Sequence, residues 1–482
     1  MKILRDMFND IRSNVGTQEY NESASYVPSQ YIYAEHIDDG IIYYNSLSKA
    51  IVLVDDESEF TPTEELVKRW FFFPEGTDQY KFCCDVKNSL FHPREMENKP
   101  NSFVVFTTMA CNARCPYCYE KDYDHKFPMS DKVALDAARW MTEKATGFFS
   151  VEFFGGEPTT NPRVIDIITD YLRENSKYNW SSTMISNGYL LDNIGVEKIR
   201  DKWRITNIQV TLDGAYDDYN SVKSFIYKDT DAFKKVINNI ELMINNNIFI
   251  TIRLNVTTEN KEQLSKVIKY LNERFYNAKD MISLYSYPVY KSENEGGWSK
   301  EEINQLYQNF IDIENEISLT RFGRRNVDTT DWDALKIYNC MGDRGNCYCI
   351  TPVGNLTVCE HHVNDEIVGS IYSDEINTEV TNRFTVKRDD SENCKTCPFK
   401  PNCTYIIKCL GVPLCNEKLM EYRDQIVRRG IRKWYSVYKE DNAPQPVDGA
   451  NICYVDVQPT PNAIYLPESI PPEAREQMKE GE

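Results

Sequence analysis

Three cysteines spaced C-x₃-C-x₂-C (Cys111-Asn112-Ala113-Arg114-Cys115-Pro116-Tyr117-Cys118) closely follow the apolar run Phe103-Val104-Val105-Phe106. That run is short, β-branched and aromatic, so it predicts a buried strand with the thiols in the loop at its C-terminal end. Three thiols this close can hold three corners of a cubane iron–sulfur cluster and leave one iron open to an outside ligand. A structural zinc site would use a fourth protein ligand and two C-x₂-C pairs. The loop is built to bind a ligand, and the rest of the chain must fold around it.

The 482 residues suffice for about three domains with ample cores. With 55 basic against 74 acidic residues the net charge is −19, which argues against phosphate backbones and anionic membranes as partners. The N-terminal MKILRDMFND lacks the apolar core of a signal peptide, and no segment approaches the length of a membrane span. The expected location is cytoplasmic, where 15 cysteines do not form a disulfide framework. They cluster at 111–118, 340–359 and 394–415, with Cys83, Cys84 and Cys453 left over, which predicts more than one metal centre.

Residues 1–30 are polar and predict a helix at most. A hairpin follows, Tyr31–Ala34 and Ile41–Tyr44 about a turn at Asp39-Gly40, then a strand at Ala50–Val54. Thr61-Pro62-Thr63-Glu64 reads as a capping box opening a helix through Trp70. This makes residues 1–100 a small α+β module, either a structural cap or a docking site whose edge strand pairs with a bound peptide.

From residue 101 the pattern alternates. Strands are expected at 103–108, 149–154, 181–186, 206–212, 249–257 and 281–287, with helices at 130–146, 162–175, 193–202, 231–246, 261–275 and 300–317. Six such repeats predict an α/β fold with a parallel sheet, a partial (β/α)₆ TIM-like barrel over 101–320, whose chemistry collects at the C-terminal ends of the strands. The polar motifs sit there: Gly155-Gly156-Glu157-Pro158, Ser186-Asn187-Gly188 and Asp213-Gly214, with Arg253 and Asn255 on one face of the fifth strand. Singly each is an ordinary turn; together they line one end of a sheet. A glycine pair lets a ligand approach the backbone, Glu157 can accept from an amine, and Arg253 can grip a carboxylate. A ligand with both groups is an amino acid or a cofactor with an amino-acid end.

On these motifs, residues 101 to about 290 resemble the radical S-adenosylmethionine superfamily. The resemblance implies a [4Fe–4S] cluster on Cys111, Cys115 and Cys118, its open iron taking the methionine end of S-adenosylmethionine. It further implies that Gly155, Gly156, Glu157 and Pro158 hold the ammonium group, that Ser186, Asn187, Arg253 and Asn255 lie near the carboxylate or ribose, and that Tyr117 sits by the adenine.

The later cysteines comprise Cys340 and Cys347, then Gly354-x₄-Cys359 (a hairpin), then Cys394-x₂-Cys397-x₅-Cys403, Cys409 and Cys415. Zinc is the alternative reading, because C-x₂-C pairs are common in zinc ribbons. Residues 335–420 resemble the SPASM extension of peptide-modifying radical enzymes, which implies two auxiliary [4Fe–4S] clusters. Cys340, Cys347, Cys359 and Cys409 would hold one, and Cys394, Cys397, Cys403 and Cys415 the other. The chain departs from the family in the five residues between Cys403 and Cys409 and in the short gap to Cys415, and Cys349 competes with Cys347 as a ligand. One cluster with an open iron could bind a substrate thiol. Glu360 occupies a position that carries an acidic base in related sulfatase-maturing enzymes; a plain surface carboxylate is the alternative. His361 and His362 read as polar residues near the cluster.

Residues 416–440 read as a basic helix with Val427, Ile431 and Trp434 on one face, completing a domain at 335–440, and 441–482 as a Pro-rich acidic tail. The expected function is a radical maturase that installs a cross-link, foremost a thioether, otherwise carbon–carbon or carbon–oxygen, in a ribosomally made precursor peptide. A flavodoxin or ferredoxin would donate electrons. The rivals are a formylglycine-forming sulfatase maturase and, from another class, a zinc-binding nucleic-acid or scaffold protein.

Overall fold

The computed structural model describes residues 1–6, 18–90, 100–122, 127–228, 231–278, 281–289, 299–320, 322, 332, 335, 341–385, 392–403 and 415–441. Cys340, Cys409 and the tail from 442 lie outside the described residues. The chain divides into two compact units.

The first unit takes both ends of the described chain, the N-terminal module together with Trp332, Leu335 and residues 392–403 and 415–441. Its strands are β1 (Lys2–Arg5), β2 (Tyr26–Pro28), β3 (Ile32–Ile37), β4 (Gly40–Asn45), β5 (Ile51–Val54) and β6 (Phe72–Pro74). An antiparallel sheet runs β1-β5-β4-β3, and β2 pairs with β6. Residues 1–30 thus hold two strands rather than only a helix; both are too short to show alternation. The hairpin turn is Asp38-Asp39, because Ile37 pairs with Gly40. The helix after β5 starts two residues later than the Thr61 box predicts: Thr63 caps Glu64–Lys68, its hydroxyl accepting from Leu66 N.

Both faces of this sheet are covered. Ile41, Tyr43, Val52 and Val54 pack with Leu66, Val67, Phe71 and Phe72. Tyr33, Ile42, Tyr44 and Ile51 pack with Trp332 and with Val427, Ile431 and Tyr435 of the helix Glu417–Asp441. The apolar stripe of that helix is therefore a core face, and Arg428 on it bonds Ala34 O (2.8 Å) and Glu35 (2.7 Å) of β3.

The second unit is built on a nine-stranded sheet in the order β12-β11-β10-β9-β8-β7-β13-β14-β15. Its strands are β7 (Ser102–Thr108), β8 (Phe149–Gly155), β9 (Trp180–Ser186), β10 (Ile205–Thr211), β11 (Phe249–Val256), β12 (Ile282–Pro288), β13 (Cys347–Ile350), β14 (Asn355–Thr357) and β15 (Gly369–Ser370). Strands β7 to β12 are parallel in sequence order, as the six repeats predict. Phe103, Val105, Val151, Phe153, Ile208, Val210, Ile250 and Ile252 point to one side and bury the helices Asp131–Lys144, Pro162–Asn175, Ala232–Ile244 and Lys261–Arg274. The expected helix at 193–202 is instead a short turn, Leu191–Ile194, and a π-turn, Lys198–Lys202, interrupted at Gly195 with φ +90°.

Strand β13 adds parallel to β7, pairing Cys347 with Ser102 and Cys349 with Val104. The β13–β14 hairpin is the one that Gly354 predicts. Residues 341–385 extend the large sheet, and the described residues from 392 belong to the first unit. Among the described residues no helix is long and apolar enough to cross a membrane.

Candidate functional site

The ends of β7 and β8 meet through backbone contacts that only glycine permits. Gly155 has φ +114°, and a Cβ there would stand 2.1 Å from Thr108 O; one on Gly156 would stand 2.4 Å from Ala110 O. Gly156 N and Glu157 N donate to Thr108 O and Ala110 O, both at 3.0 Å. The glycine pair thus admits the backbone stretch that leads into the cysteine loop.

Glu157 closes the same corner of the sheet. It is 0% exposed, and its oxygens accept from Thr159 N (3.1 Å), the Thr159 hydroxyl, Ser186 Oγ (2.8 Å) and Asn187 N (2.7 Å). Burial raises its pKa and these four donors oppose the rise. These bonds tie β8 to β9 through the Glu157 carboxylate, three of them at Oε1 and one at Oε2. Pro158 opens the short 3₁₀ turn that follows. Asn187 continues the network, donating from Nδ2 to Asn112 Oδ1 (2.7 Å) and lying 3.9 Å from Cys111 Sγ.

Cys111, Cys115 and Cys118 are half-buried on the one loop. Burial pushes Cys111 up to about 12, with the Glu157 charge adding to it and the Ala113 N–H opposing. Cys118 rises to about 11 through burial and the charge of Glu120, itself raised to about 8 by burial. Such thiols ionise when a metal claims them. Among the described residues no His, Cys, Asp or Glu group is arranged to hold a single metal ion. Three soft thiols on one loop, with a backbone N–H 3.4 Å from the Cys111 sulfur, suit the larger spacing of an iron–sulfur cluster. The buried Asn112 Nδ2 and Asp213 Oδ1 beside them have no hydrogen-bond partner among the described residues.

Tyr117 is fixed by Asp213 and by Lys223, a residue that sequence reasoning missed. Its hydroxyl donates to Asp213 Oδ2 and receives Lys223 Nζ at 3.1 Å; Lys223 also reaches Thr211 Oγ1 at 2.7 Å. Lys223 lies on the helix Asp217–Lys223, which carries no apolar period that would predict it.

From β8 to β12 the sheet face turned away from the helices carries mainly polar side chains, whereas at β7 it is apolar, with Val104 and Phe106 packed against Met109. Glu152 stands opposite Thr183 (3.4 Å), Tyr285 bonds Gln209 (2.9 Å), and Arg253 Nε bonds Asn255 Oδ1 (2.9 Å) with its guanidinium 4.1 Å from the Tyr287 ring centre. Burial and then the negative Glu360 push the Glu152 carboxyl up to about 7. Glu360 is 19% exposed and 3.9 Å from His361, whose ring lies 4.5 Å from that of Tyr119. Burial lowers the His361 pKa; Glu360 opposes this and Arg253 adds to it. Glu360 is therefore largely covered and neighbours Glu152. The alternation Phe149/Val151/Phe153 is the signal by which Glu152 could have been found.

Cys347 and Cys349 share one face of β13 and are buried with Met109 and Met341. The Cys349 thiol is pushed well up by burial, then by Cys347, Glu360 and Cys359, so these groups are neighbours. In the first unit, Cys397 is raised to about 11 by burial, with Cys403 and Cys415 among its neighbours. Cys415 is raised by burial, with Cys403 and Cys394 nearby. The four gather beside Arg423. Their loop is carried by the N-terminal module: Ser46 Oγ bonds Pro398 O (2.7 Å), Lys87 Nζ bonds Cys403 O (2.6 Å), and Lys49 bonds Asn402.

The radical SAM superfamily model matches residues 105–271. A radical SAM cyclopropyl synthase, TigE, from Paramaledivibacter caminithermalis is 20% identical over 442 residues, spanning 82% of this chain and 90% of that protein. A cysteine-type anaerobic sulfatase-maturating enzyme from Clostridium perfringens is 23% identical over 280 residues, 53% of this chain and 73% of the relative. The solved structure of native anSMEcpe with bound AdoMet and Kp18Cys peptide shares the fold, with a TM-score of 0.55 at 18% identity over 71% of this chain and 99% of that one.

Proposed function

We propose, for a chain that carries a radical SAM domain over residues 105–271 and is a radical SAM enzyme, that it modifies a peptide by hydrogen-atom abstraction and leaves a cross-link in it. The observation that carries this reading is the polar barrel face, where Glu152, Arg253, Glu360 and His361 stand beside the strand ends that bear the cysteine loop. That lining suits a polar chain segment. The similar sulfatase-maturating fold is one solved with a peptide.

Cys111, Cys115 and Cys118 would hold a [4Fe–4S] cluster, with S-adenosylmethionine on its open iron. When bound, the pair supplies a 5′-deoxyadenosyl radical that takes a hydrogen atom from the substrate. The Glu157–Ser186–Asn187–Asn112 network holds the loop in place, and the buried Tyr117–Asp213–Lys223 group fixes its far side. Ser186, Asn187, Arg253 and Asn255 border the space for the cofactor. Glu360, or Glu152 beside it, would accept the proton released as the new bond forms. Two auxiliary clusters would use the later cysteines, with Cys349 facing the same way as Cys347 in the nearer set. An outside one-electron donor such as a flavodoxin or ferredoxin would reduce the enzyme, and the N-terminal module would recognise the leader of a ribosomally made precursor.

A formylglycine-forming reaction is the second reading, favoured by the sulfatase-maturating relative. Incubating the reduced enzyme anaerobically with S-adenosylmethionine and cysteine-containing peptides separates the two by mass. A cross-link removes only hydrogen; formylglycine removes the sulfur. Modified peptide without 5′-deoxyadenosine would sink both.

A further inference from the structure

Arg423, on the helix Glu417–Asp441, is 8% exposed, and its Nη1 lies 3.4 Å from Cys403 Sγ and 3.8 Å from Cys415 Sγ. The guanidinium also lies 5.2 Å from the centre of the Phe399 ring, in the loop that runs from Cys397 to Cys403. Helix and loop thus hold this cation against two of the four sulfurs from two directions. Its charge opposes burial at both Cys397 and Cys415. A guanidinium keeps its charge when buried and presents several N–H groups in a rigid plane, so it can serve two sulfurs at once; a lysine ammonium is a single point charge.

We propose that Arg423 is a positioning residue that raises the reduction potential of the iron–sulfur centre held by Cys394, Cys397, Cys403 and Cys415. The inference rests on those four thiols binding such a centre. Its reduction adds one electron and no proton, so the centre becomes one unit more negative. A fixed positive donor on two of the ligand sulfurs stabilises the reduced form more than the oxidised form. Hydrogen bonds to ligand sulfurs tune iron–sulfur centres in this direction.

The test uses the full chain, reconstituted with iron and sulfide, and its readouts are iron content and an EPR-monitored redox titration. The signal that disappears in a Cys394→Ala/Cys397→Ala double variant identifies the centre. In Arg423→Gln the midpoint of that signal shifts negative, and in Arg423→Lys it shifts negative by less, both at wild-type iron content. An unchanged midpoint in these variants overturns the inference and leaves the four-cysteine centre standing. If Arg423→Gln assembles no centre, Arg423→Lys carries the test, and an unchanged midpoint there overturns the proposal. If the cysteine double variant loses neither iron nor a signal, the centre itself is refuted and the inference with it.

Discussion

Lys223 Nζ lies 2.6 Å from Asp213 Oδ2, with the two side chains only 3% and 1% exposed, beside the loop that bears the first three cysteines. Removing one partner of such a pair strands a buried charge. Lys223→Met is expected to cost about 3–5 kcal/mol, and adding Asp213→Asn to recover most of it, because the pair is then removed together. Thermal unfolding of both variants checks this, and equal losses would contradict it.

The glycine pair makes a second test. Gly156→Ala places a Cβ 2.4 Å from Ala110 O, so the cysteine loop must move. Its expected outcome is loss of cluster iron and of S-adenosylmethionine binding in equilibrium dialysis. Gly147→Ala meets nothing within 4 Å and is expected to stay within about 0.5 kcal/mol of wild type.

Metal content tests the three centres. About twelve irons per chain are expected after anaerobic reconstitution, about four fewer when Cys111, Cys115 and Cys118 are all Ala. That variant should also produce no 5′-deoxyadenosine. Stoichiometric zinc without iron would refute the assignment.

Glu152 predicts a pH dependence. Its folded pKa, about 7, lies above the ordinary carboxyl value of 4.5, so the folded chain binds the proton more tightly than the unfolded chain. The group therefore costs nothing in acid, and its penalty grows as pH rises from 4.5 through 7. Glu152→Gln lacks that penalty, so the Tm of the variant minus that of wild type should increase between pH 5 and pH 8. A difference that stays flat over that range would show that Glu152 is not held out of its ordinary titration.

Much of the large sheet was legible because its strands are apolar runs whose signal is local. Phe103–Phe106 and the runs near 150, 206 and 250 each identify themselves within a few residues. Strand β13 did not, because Cys-Tyr-Cys-Ile reads as metal ligands and its partner, β7, lies some 240 residues earlier in the chain, a separation of the kind that local pattern cannot report. The site divides in the same way. The cysteine loop and the Gly155–Pro158 motif were found by spacing, whereas the inward turn of Glu157 depends on where β9 ends. Lys223 gave no signal, since a lysine on a polar helix is ordinarily solvated.

The first unit has an unusual history of assembly. Tyr33, Ile42, Tyr44 and Ile51 are made early, but Val427, Ile431 and Tyr435, which cover them, lie on the last helix of the described residues. That separation is roughly 370 residues, on the order of 20 to 70 seconds of ribosomal synthesis. For that interval the aromatic face of the nascent sheet lacks the helix that covers it. A chaperone that shields apolar surface would be needed longest there, and a chain stalled before residue 427 would be prone to aggregate through that face rather than through the barrel.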